Sequence, residues 1–433
     1  MISRITNIVK KKEYKTILEN MLSLTGLQFA SYILPLITLP YLTWILGPEL
    51  FGLTQYAISL ITYFQFFTDY GFNLSATREL AIVKDDNDKV SRIFNSVMFI
   101  KIILCILSFL ITILLITFVG KFNKDAIVYL LTFGMVIGYI LFPTWLFQGM
   151  EYMKYTSILN IIGKVIFTVL IFLLIHKSSD YILVPVINSL GLIVVGIAGL
   201  YIAITRFNIK LSIPTKEDVK YHLKEGWHVF ISTIAINMYT TTNTFLLGLL
   251  TNNTLVGYYS ISEKIILAVN GLLNPISQAL YPFISRSVNN DKKTSVVFIR
   301  KLSKIMAVVG LILSIGLLVF SKTIILTLFG PSYASSVIIL QIMSIIPLAV
   351  SLSTIFGIQT MLTFNYKKAF TTIVMLGGIL DIILGIVLIY LLKEVGIAIS
   401  FTITEIFITI AMFIFLQNKG IKIIGKLNNN NND

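Results

Sequence analysis

The sequence contains little that could catalyse a reaction or hold a metal. Cys105 is the only cysteine in 433 residues, which excludes an intramolecular disulfide and a cysteine-based metal cluster. Three histidines, His176, His222 and His228, are too scattered to form a ligand motif. A Gly-x-x-x-x-Gly-Lys-Ser/Thr loop is also absent, so we do not expect direct use of ATP. The first twenty residues are too polar and basic for a cleavable signal peptide.

Charged residues are scarce as well. They make up 12% of the chain, against about 25% in ordinary soluble domains, whereas 56% of the residues are hydrophobic. The net charge of +14 would suit a nucleic-acid-binding protein, but such proteins surround their basic patches with polar surface. The composition therefore predicts an integral membrane protein without a nucleic-acid partner.

Twelve apolar runs are long enough to cross a bilayer as helices, which takes about 20 residues each. The runs are continuous and lack the alternation of a membrane β-barrel, so the predicted fold class is an all-α integral membrane protein with about twelve spans. The predicted spans are residues 21–46, 51–73, 93–119, 125–148, 156–176, 181–205, 226–250, 254–284, 302–320, 334–363, 369–392 and 395–417.

The distribution of Lys and Arg predicts the orientation. Segments on the side of the N-terminus carry 26 of these residues and the opposite segments carry five. Because Lys and Arg accumulate in cytoplasmic loops, both termini are expected in the cytoplasm. The outer loops are too short to hold a catalytic domain. The predicted organisation is a cytoplasmic N-terminal segment (1–20), a six-helix bundle (21–205), a cytoplasmic linker (206–225), a second six-helix bundle (226–417) and a disordered cytoplasmic tail (418–433).

Short similarities between the two halves suggest an internal repeat. Tyr-Ala-Ile-Ser at residues 56–59 resembles Tyr-Ser-Ile-Ser at residues 259–262, and Lys-Ile at residues 101–102 recurs at residues 304–305, both after 203 residues. An offset of six spans predicts two bundles with the same orientation in the membrane. The alternative is chance similarity in an isoleucine-rich chain.

Polar residues inside the spans form stripes on spans 1, 2, 7 and 8. Intramembrane polar groups usually face a bundle interior or an aqueous cavity, and corresponding helices of both halves carry them, so we expect these four spans to line a hydrophilic cavity. Hydrogen bonding between packed helices is the alternative. The candidate substrate-binding residues are Gln28, Asp69, Arg78, Asn237, Thr240, Glu263, Lys264, Asn270, Asn274 and Gln278.

Charged positions within or beside the spans allow more than one interpretation. Lys264 could contact a phosphate or extend to the outer headgroups. Asp69 could bind a ligand or form an ion pair with Arg78 at the helix end. Two mid-span carboxylates, Asp381 and Glu405, could neutralise Lys101 or Lys164, or bind a coupling ion. Close helix packing at Gly377, Gly378 and Gly385 is the simpler reading of the region around Asp381.

Several motifs together resemble the Wzx-type polysaccharide flippases, which belong to the multidrug/oligosaccharidyl-lipid/polysaccharide exporter superfamily. The similarity extends from span 1 to span 12. The motifs are Gly-Pro-Glu-Leu-Phe-Gly-Leu at residues 47–53, Tyr-Gly-Phe-Asn at 70–73, Ala-Thr-Arg-Glu-Leu-Ala at 76–81, Pro-Thr-Trp-Leu-Phe-Gln-Gly-Met-Glu at 143–151, Gly-Tyr-Tyr-Ser at 257–260, Asn-Pro-Ile at 274–276 and Leu-Tyr-Pro at 280–282.

The resemblance implies two six-helix bundles around a central cavity in the bacterial cytoplasmic membrane. It implies a substrate too, an oligosaccharide repeat unit linked through diphosphate to undecaprenol, flipped by alternating access for O-antigen or capsule synthesis. Lys264 and Arg78 are then the cations for the diphosphate, and the amides of Gln28, Asn237, Asn270, Asn274 and Gln278 would bind sugars. No cofactor is expected beyond a coupling H⁺ or Na⁺. Expected partners are membrane lipid, a polysaccharide polymerase and a chain-length regulator.

Three other functions fit the sequence less well. A multidrug exporter of the same fold would need an acidic cation pocket in the first half, where Asp69 is the single candidate. A lipid II flippase would usually have two further spans. The third alternative is an enzyme, a polysaccharide polymerase or acyltransferase. Such an enzyme would need a large outer loop carrying Arg or His.

Overall fold

The computed structural model describes the backbone of residues 2–290, 292–421 and 423. Side chains are described from residue 34 onward, except at positions 36, 232–240, 279, 282–283, 289–290 and 293 and at the backbone gaps. Within these residues the chain is almost entirely helical and contains no β-strand, which confirms the predicted all-α class.

The helices follow the order of the predicted spans. The first part contains α1 (Ile2–Asp69), α2 (Phe72–Val83), α3 (Asn87–Phe118), α4 (Gly120–Asn123), α5 (Ala126–Leu141), α6 (Thr144–Gly149), α7 (Met153–Leu174), a 3₁₀ turn (Ser178–Ile182), α8 (Leu183–Arg206) and α9 (Lys216–Leu250). The remainder contains α10 (Asn253–Gly271), α11 (Asn274–Asn290), α12 (Lys292–Leu328), a 3₁₀ turn (Pro331–Tyr333), α13 (Ser336–Met343), α14 (Ile346–Thr354), a π-helical segment (Ile355–Leu362) and α15 (Lys367–Asn418).

Local breaks divide the longest helices near the predicted span ends. Gly47 interrupts α1 with a φ of 69°, and Lys393 interrupts α15 with a φ of 53°. Seven helices of the described residues are long and apolar enough to cross a membrane. The count of twelve spans stays a prediction.

Four predicted spans are wrong as continuous helices. Residues 51–73 break at Tyr70–Gly71 between α1 and α2, and residues 125–148 break at Pro143 between α5 and α6. Residues 254–284 divide into α10 and α11, and residues 334–363 divide into α13, α14 and the π segment. Proline explains the breaks before α11 and α14, because it lacks an N–H and fits the first turn of a helix. Pro275 is the second residue of α11, and Pro347 is the second residue of α14.

The packing of α3 is that of a membrane helix, with polar groups inside and apolar groups outside. Lys101, Ser108 and Thr112 lie seven and four residues apart and are all buried. Large apolar side chains on other faces, such as Ile106 and Leu110, are more than half exposed. A soluble helix has the opposite arrangement, so the exposed face of α3 suits hydrocarbon.

Two compact units divide the structure. The first unit comprises Leu34–Ser260. The second unit comprises the chain from Ile261 onward together with the segment before Leu34. The whole of α9 and the start of α10 thus belong to the same unit as α2–α8 and the part of α1 from Leu34 onward. The functional division into bundles at residues 21–205 and 226–417 remains a prediction.

The linker between α8 and α9 is held against α3 by hydrogen bonds and ion pairs. Ser91 Oγ accepts a hydrogen bond from the Lys210 backbone N–H at 3.1 Å, and Asn95 Nδ2 donates to the Lys210 carbonyl at 2.8 Å. Arg92 and Asp218 form a bidentate ion pair, with Nε–Oδ2 and Nη2–Oδ1 distances of 2.9 Å. Since Asp218 lies in the first turn of α9, the pair ties the start of this helix to α3.

We predict that acid loosens the linker through Asp218. The hydrogen bond from Arg92, and less strongly that from Thr215, lowers the pKa of Asp218. A carboxyl with a lowered folded pKa contributes stability above its unfolded pKa of about 3.9, and this contribution is lost as the pH falls through the folded value. The protection of the amides at residues 207–215, that is, their exchange rate relative to the intrinsic rate at the same pH, should therefore fall severalfold below about pH 4.

Asp218→Asn should show lower protection already at neutral pH, and its protection should lose most of the dependence on acid. Asp88→Asn is the matched control, because its carboxylate pairs with Lys210 at 2.8 Å while both side chains are about three-quarters exposed. Solvent screens such a pair strongly, so the effect of Asp88→Asn should be smaller. Equal exchange in the wild type and Asp218→Asn across the whole pH range would contradict this role.

Candidate functional site

A buried ion pair lies inside the first unit, where α1 ends. Asp69 is the last residue of α1 and is 4% exposed; Lys101 of α3 is 1% exposed. The Lys101 Nζ atom lies 3.3 Å from Asp69 Oδ1. Burial of both charges is costly unless they are paired and hydrogen-bonded, and charged residues at membrane depth are commonly functional.

A chain of polar side chains continues from this pair. The Tyr139 hydroxyl donates to Asp69 Oδ1 at 3.4 Å and accepts from Asn73 Nδ2 at 3.0 Å. Asn73 Oδ1 in turn accepts from Thr144 Oγ1 at 2.9 Å. The chain thus joins α1, α2, α3, α5 and α6. We call Asp69, Lys101, Tyr139, Asn73 and Thr144 the Asp69 network.

Two backbone breaks position the network. Tyr70 and Gly71 adopt φ values of 47° and 74° between α1 and α2. At Gly71 a side chain would collide with Val229 and Phe230 of α9, so glycine is required there for space as well as conformation. Pro143 separates α5 from α6 and places Thr144 beside Asn73.

The partners of Asp69 and Lys101 differ from those predicted. The ion pair of Asp69 with Arg78 is wrong, because Asp69 pairs with Lys101 while Arg78 is exposed on α2. Neutralisation of Lys101 by Asp381 or Glu405 is wrong for the same reason. Nothing in the sequence gives the rotation of α3 relative to α1, which decides the pairing.

The other predicted site residues are distributed over both units. The side chains of Gln28, Asn237 and Thr240 lie outside the described residues. On α10, Glu263, Lys264 and Asn270 are partly exposed, and on α11 Asn274 and Gln278 are exposed. The carboxamide oxygen of Asn270 is buried and has no hydrogen-bond partner within the described part of the chain. The substrate-binding role of these residues, and of Asp69, stays a prediction.

The span 8 stripe also serves helix packing. Gln359, buried in the π segment, donates from Nε2 to the Ser277 carbonyl at 2.7 Å and to Ser277 Oγ at 2.9 Å. These bonds connect α11 to the π-helical segment. Its i→i+5 hydrogen-bond geometry is rare in proteins overall but common at functional sites. Sequence reasoning missed Gln359, although a lone amide in an apolar span was a usable signal.

Asp381 is buried within α15. Its Oδ1 accepts hydrogen bonds from Ser400 at 2.9 Å and from Thr404 at 3.4 Å. The nearby Gly377 is packed against Ile408, and a side chain added there would overlap it, so the predicted close helix approach is present. Glu405 is also buried. Among the described residues, no group of three or more His, Cys, Asp or Glu side chains could hold a metal ion.

Two helical hairpins of the first unit contact each other closely at the end predicted to face outward. A Cβ built on Gly52 would overlap the Asn253 carbonyl oxygen, and one built on Gly257 would overlap the Pro48 carbonyl oxygen. Each glycine lies a few residues before one of the repeated Tyr-x-Ile-Ser motifs, which begin at Tyr56 and Tyr259. At the same end, Lys121 Nζ donates hydrogen bonds to the carbonyls of Leu249 at 3.1 Å and Thr251 at 2.7 Å.

Known proteins resemble this chain over most of its length. A family described as "Polysaccharide biosynthesis protein" matches residues 17–288. A "Putative O-antigen transporter" of Escherichia coli strain K12 is 35% identical over 404 residues, 93% of this chain and 97% of the relative. A protein of the same description from Shigella dysenteriae is 27% identical over 88% of this chain and 95% of its own length.

Solved structures share the fold at low sequence identity. An inward-facing multidrug resistance MATE transporter of the MOP superfamily aligns with a TM-score of 0.71 at 10% identity, covering 93% of this chain and all of that one. The lipid II flippase MurJ in an inward closed conformation aligns with a TM-score of 0.68 at 15% identity, covering 92% and 89%. The extensive match to the polysaccharide biosynthesis family, together with this shared fold, shows that the chain belongs to that family and has the fold of the MOP superfamily.

Proposed function

We propose that this protein flips lipid-linked oligosaccharides across the bacterial inner membrane. It is a multi-pass membrane transporter and not an enzyme. The observation that carries the proposal is the 35% identity, over almost the whole of both chains, to a protein named as an O-antigen transporter. The chain also shares its fold with a protein named as a lipid II flippase, which is compatible with a lipid-linked substrate.

The substrate in this proposal is an oligosaccharide repeat unit joined through diphosphate to undecaprenol, for O-antigen or capsule synthesis. Its polar part would cross inside the protein while the polyprenyl tail stays in the lipid. Alternating access of the two halves would move it, as inverted or parallel repeats do in other transporters. A polysaccharide polymerase and a chain-length regulator are the proposed partners that receive it.

Cations and amides of the polar stripes are the proposed contacts. Lys264 and Arg78 would bind the diphosphate, since a Lys or Arg forms strong charge-assisted bonds to phosphate oxygens. Asn270, Asn274 and Gln278 would bind sugar hydroxyls, with Gln28 and Asn237 on the other stripes. The buried carboxamide oxygen of Asn270 supports this, because a substrate or water hydroxyl could donate to it.

A gradient of H⁺ or Na⁺ would drive the transport. In the second unit, buried Asp381 and Glu405 are the proposed ion-binding positions. The hydroxyls of Ser400 and Thr404 at Asp381 Oδ1 offer oxygen atoms of the kind that hard cations prefer.

Deletion of the gene followed by analysis of lipid-linked repeat units tests the function. Complete units that accumulate facing the cytoplasm would support flipping, because synthesis would be intact and translocation lost. Single units already on the outer face would contradict it and favour a polymerase. Complementation by the wild-type gene on a plasmid is the control.

Lys264→Ala should impair export of surface polysaccharide while leaving the amount of protein in the membrane unchanged. Its side chain is partly exposed on α10, so truncation removes a charge without opening a large core cavity. Lys304→Ala is the matched control, because Lys304 is exposed in the first half of α12 and belongs to a segment predicted to be cytoplasmic. Normal surface polysaccharide in Lys264→Ala would remove this residue from the diphosphate site.

A further inference from the structure

The linker between α8 and α9 leaves two large apolar side chains uncovered. Leu211 is 67% exposed and Ile213 is 90% exposed. Ser212, the residue between them, faces α3, because its Oγ accepts a hydrogen bond from Asn95 Nδ2 at 3.1 Å. Uncovered apolar side chains bordered by polar residues are typical of a surface that meets a membrane or another protein.

The hydrogen bonds of the linker place these side chains near the membrane surface. Asn95, which also donates to the Lys210 carbonyl at 2.8 Å, lies at the start of predicted span 3 (93–119). Ser91, one turn earlier in α3, accepts a hydrogen bond from the Lys210 N–H. The linker is therefore held at the predicted boundary between the cytoplasm and the hydrocarbon, where an exposed leucine or isoleucine can enter the acyl-chain region.

The first turns of α9 present three lysines on one face. Lys216, Lys220 and Lys224 follow one another at intervals of four residues and are all exposed, and residues at this spacing are neighbours on a helix. None of the ion pairs found among the described residues involves these lysines. Glu217 borders the stripe, whereas Glu225 is turned about 100° away from Lys224. The face therefore carries a net positive charge.

The same face of α9 changes from charged to aromatic to aliphatic along the helix. Trp227 and Ile231 lie three and seven residues after Lys224 and are 49% and 46% exposed. The opposite face, which contains His222 and Gly226, is buried. Lysine side chains reach headgroups, tryptophan is enriched at the membrane interface, and isoleucine prefers hydrocarbon. The order along this face is therefore that of a helix that enters a membrane from its charged end.

We propose that these residues form a linker surface that binds anionic phospholipid of the cytoplasmic leaflet. It consists of Leu211, Ile213, Lys216, Lys220, Lys224 and Trp227. The lysines contact headgroup phosphates, while Leu211 and Ile213 enter the upper part of the acyl chains. An acidic protein could pair with the lysines, but the change to tryptophan and isoleucine along the same face favours lipid. Charge and apolar insertion act together, because either one alone holds a segment at a membrane only weakly.

Lipid binding fixes the beginning of α9 from two sides. The Arg92–Asp218 pair already ties the first turn of this helix to α3, and the linker surface ties its lysine face to the membrane. This surface is independent of the proposed transport function, because its ligand is ordinary membrane phospholipid and not the transported substrate.

Spin labels on the full-length protein test the depth of the linker. Cys105 is the only cysteine, so Leu211→Cys and Ile213→Cys can each be labelled in a Cys105→Ser background. Nanodiscs contain either phosphatidylglycerol mixed with phosphatidylcholine or phosphatidylcholine alone. In the mixed membrane, both labels should be more accessible to oxygen, which concentrates in lipid, than to a nickel chelate, which stays in water. A label at Asp85→Cys, in the exposed loop before α3, should report water in both membranes.

Lys216→Gln/Lys220→Gln/Lys224→Gln tests the contacts with phosphate. With the label at Ile213→Cys, phosphatidylglycerol should raise the ratio of oxygen to nickel accessibility severalfold, and this triple variant should lose most of the increase. The matched control removes the same charge from three exposed lysines of α12 and should keep the increase; it is Lys292→Gln/Lys301→Gln/Lys304→Gln.

Three results would overturn the linker surface as a site for anionic lipid. Labels at both linker positions could face water in both membranes, which would exclude insertion. Labels shielded from both reagents would indicate that protein, such as a second copy of this chain, covers the linker. Equal insertion with and without phosphatidylglycerol, unchanged in the triple lysine variant, would exclude recognition of the anionic headgroup. None of these measurements uses transport, so failure of the proposed function would leave their outcome intact.

Discussion

Lys101→Met should be among the most destabilising single substitutions in the chain. Removal of one partner from a buried ion pair leaves the other uncompensated and typically costs about 3–5 kcal/mol. Here Lys101 is 1% exposed and Asp69 is 4% exposed, so water cannot replace the lost ammonium without rearrangement. We expect a lower midpoint of thermal unfolding for the purified protein and a smaller amount of protein in the membrane.

The Asp69→Asn/Lys101→Met variant should recover most of that loss, because neither charge then remains unpaired. Replacing both members of a buried pair is often neutral or stabilising. Lys124→Met is the matched control, since Lys124 is exposed in the loop before α5, and it should unfold as the wild type does. A double variant less stable than Lys101→Met would show that the pair is not the source of the effect.

Gly52→Leu should abolish export and lower stability. The position has no room for a side chain, because even a Cβ would overlap the Asn253 carbonyl oxygen of the opposing hairpin. Forcing extra atoms into a packed contact typically costs about 1–3 kcal/mol, and backbone here has less freedom to yield than a side chain. The two hairpins would then be forced apart, and surface polysaccharide should fall to the level of the gene deletion.

Gly257→Leu should have the same effect from the other hairpin, because its Cβ would meet the Pro48 carbonyl. Gly120→Ala is the matched control on the same side of the protein, since nothing lies within 4 Å of a Cβ at that position. Export at the wild-type level in both leucine variants would contradict a functional role of the hairpin contact.

The sequence predicted the helices well for a simple physical reason. Long apolar runs must become helices in a membrane because each backbone group has to be satisfied within its own segment. The break at Gly47 lies between two predicted spans, and glycine tolerates the left-handed backbone found there. The break at Pro143 was missed inside predicted span 125–148, although proline interrupts helical hydrogen bonding. The break between α10 and α11 was missed although Pro275 was available as a signal.

The sequence marked Asp69 and Lys101 as charged positions within spans, but it did not predict that they pair. Asp69 and Lys101 are 32 residues apart and lie on different helices, and a rotation of α3 by one residue would turn Lys101 by about 100° towards another partner. Tyr139 and Thr144 were missed because a single Tyr or Thr in a span is common. Position within a packed bundle, which the sequence does not encode locally, gives these side chains their significance.

The most direct test of the central claim is a flipping measurement with purified protein. Proteoliposomes would contain the full-length chain and an undecaprenyl-diphosphate-linked oligosaccharide with a labelled terminal sugar, and a membrane-impermeant glycosidase would report which molecules face outward. With this protein, the inner-leaflet pool should become accessible during the assay, and Gly52→Leu should be slow under the same conditions. An inner-leaflet pool as protected as in protein-free liposomes, at verified protein incorporation, would contradict the account.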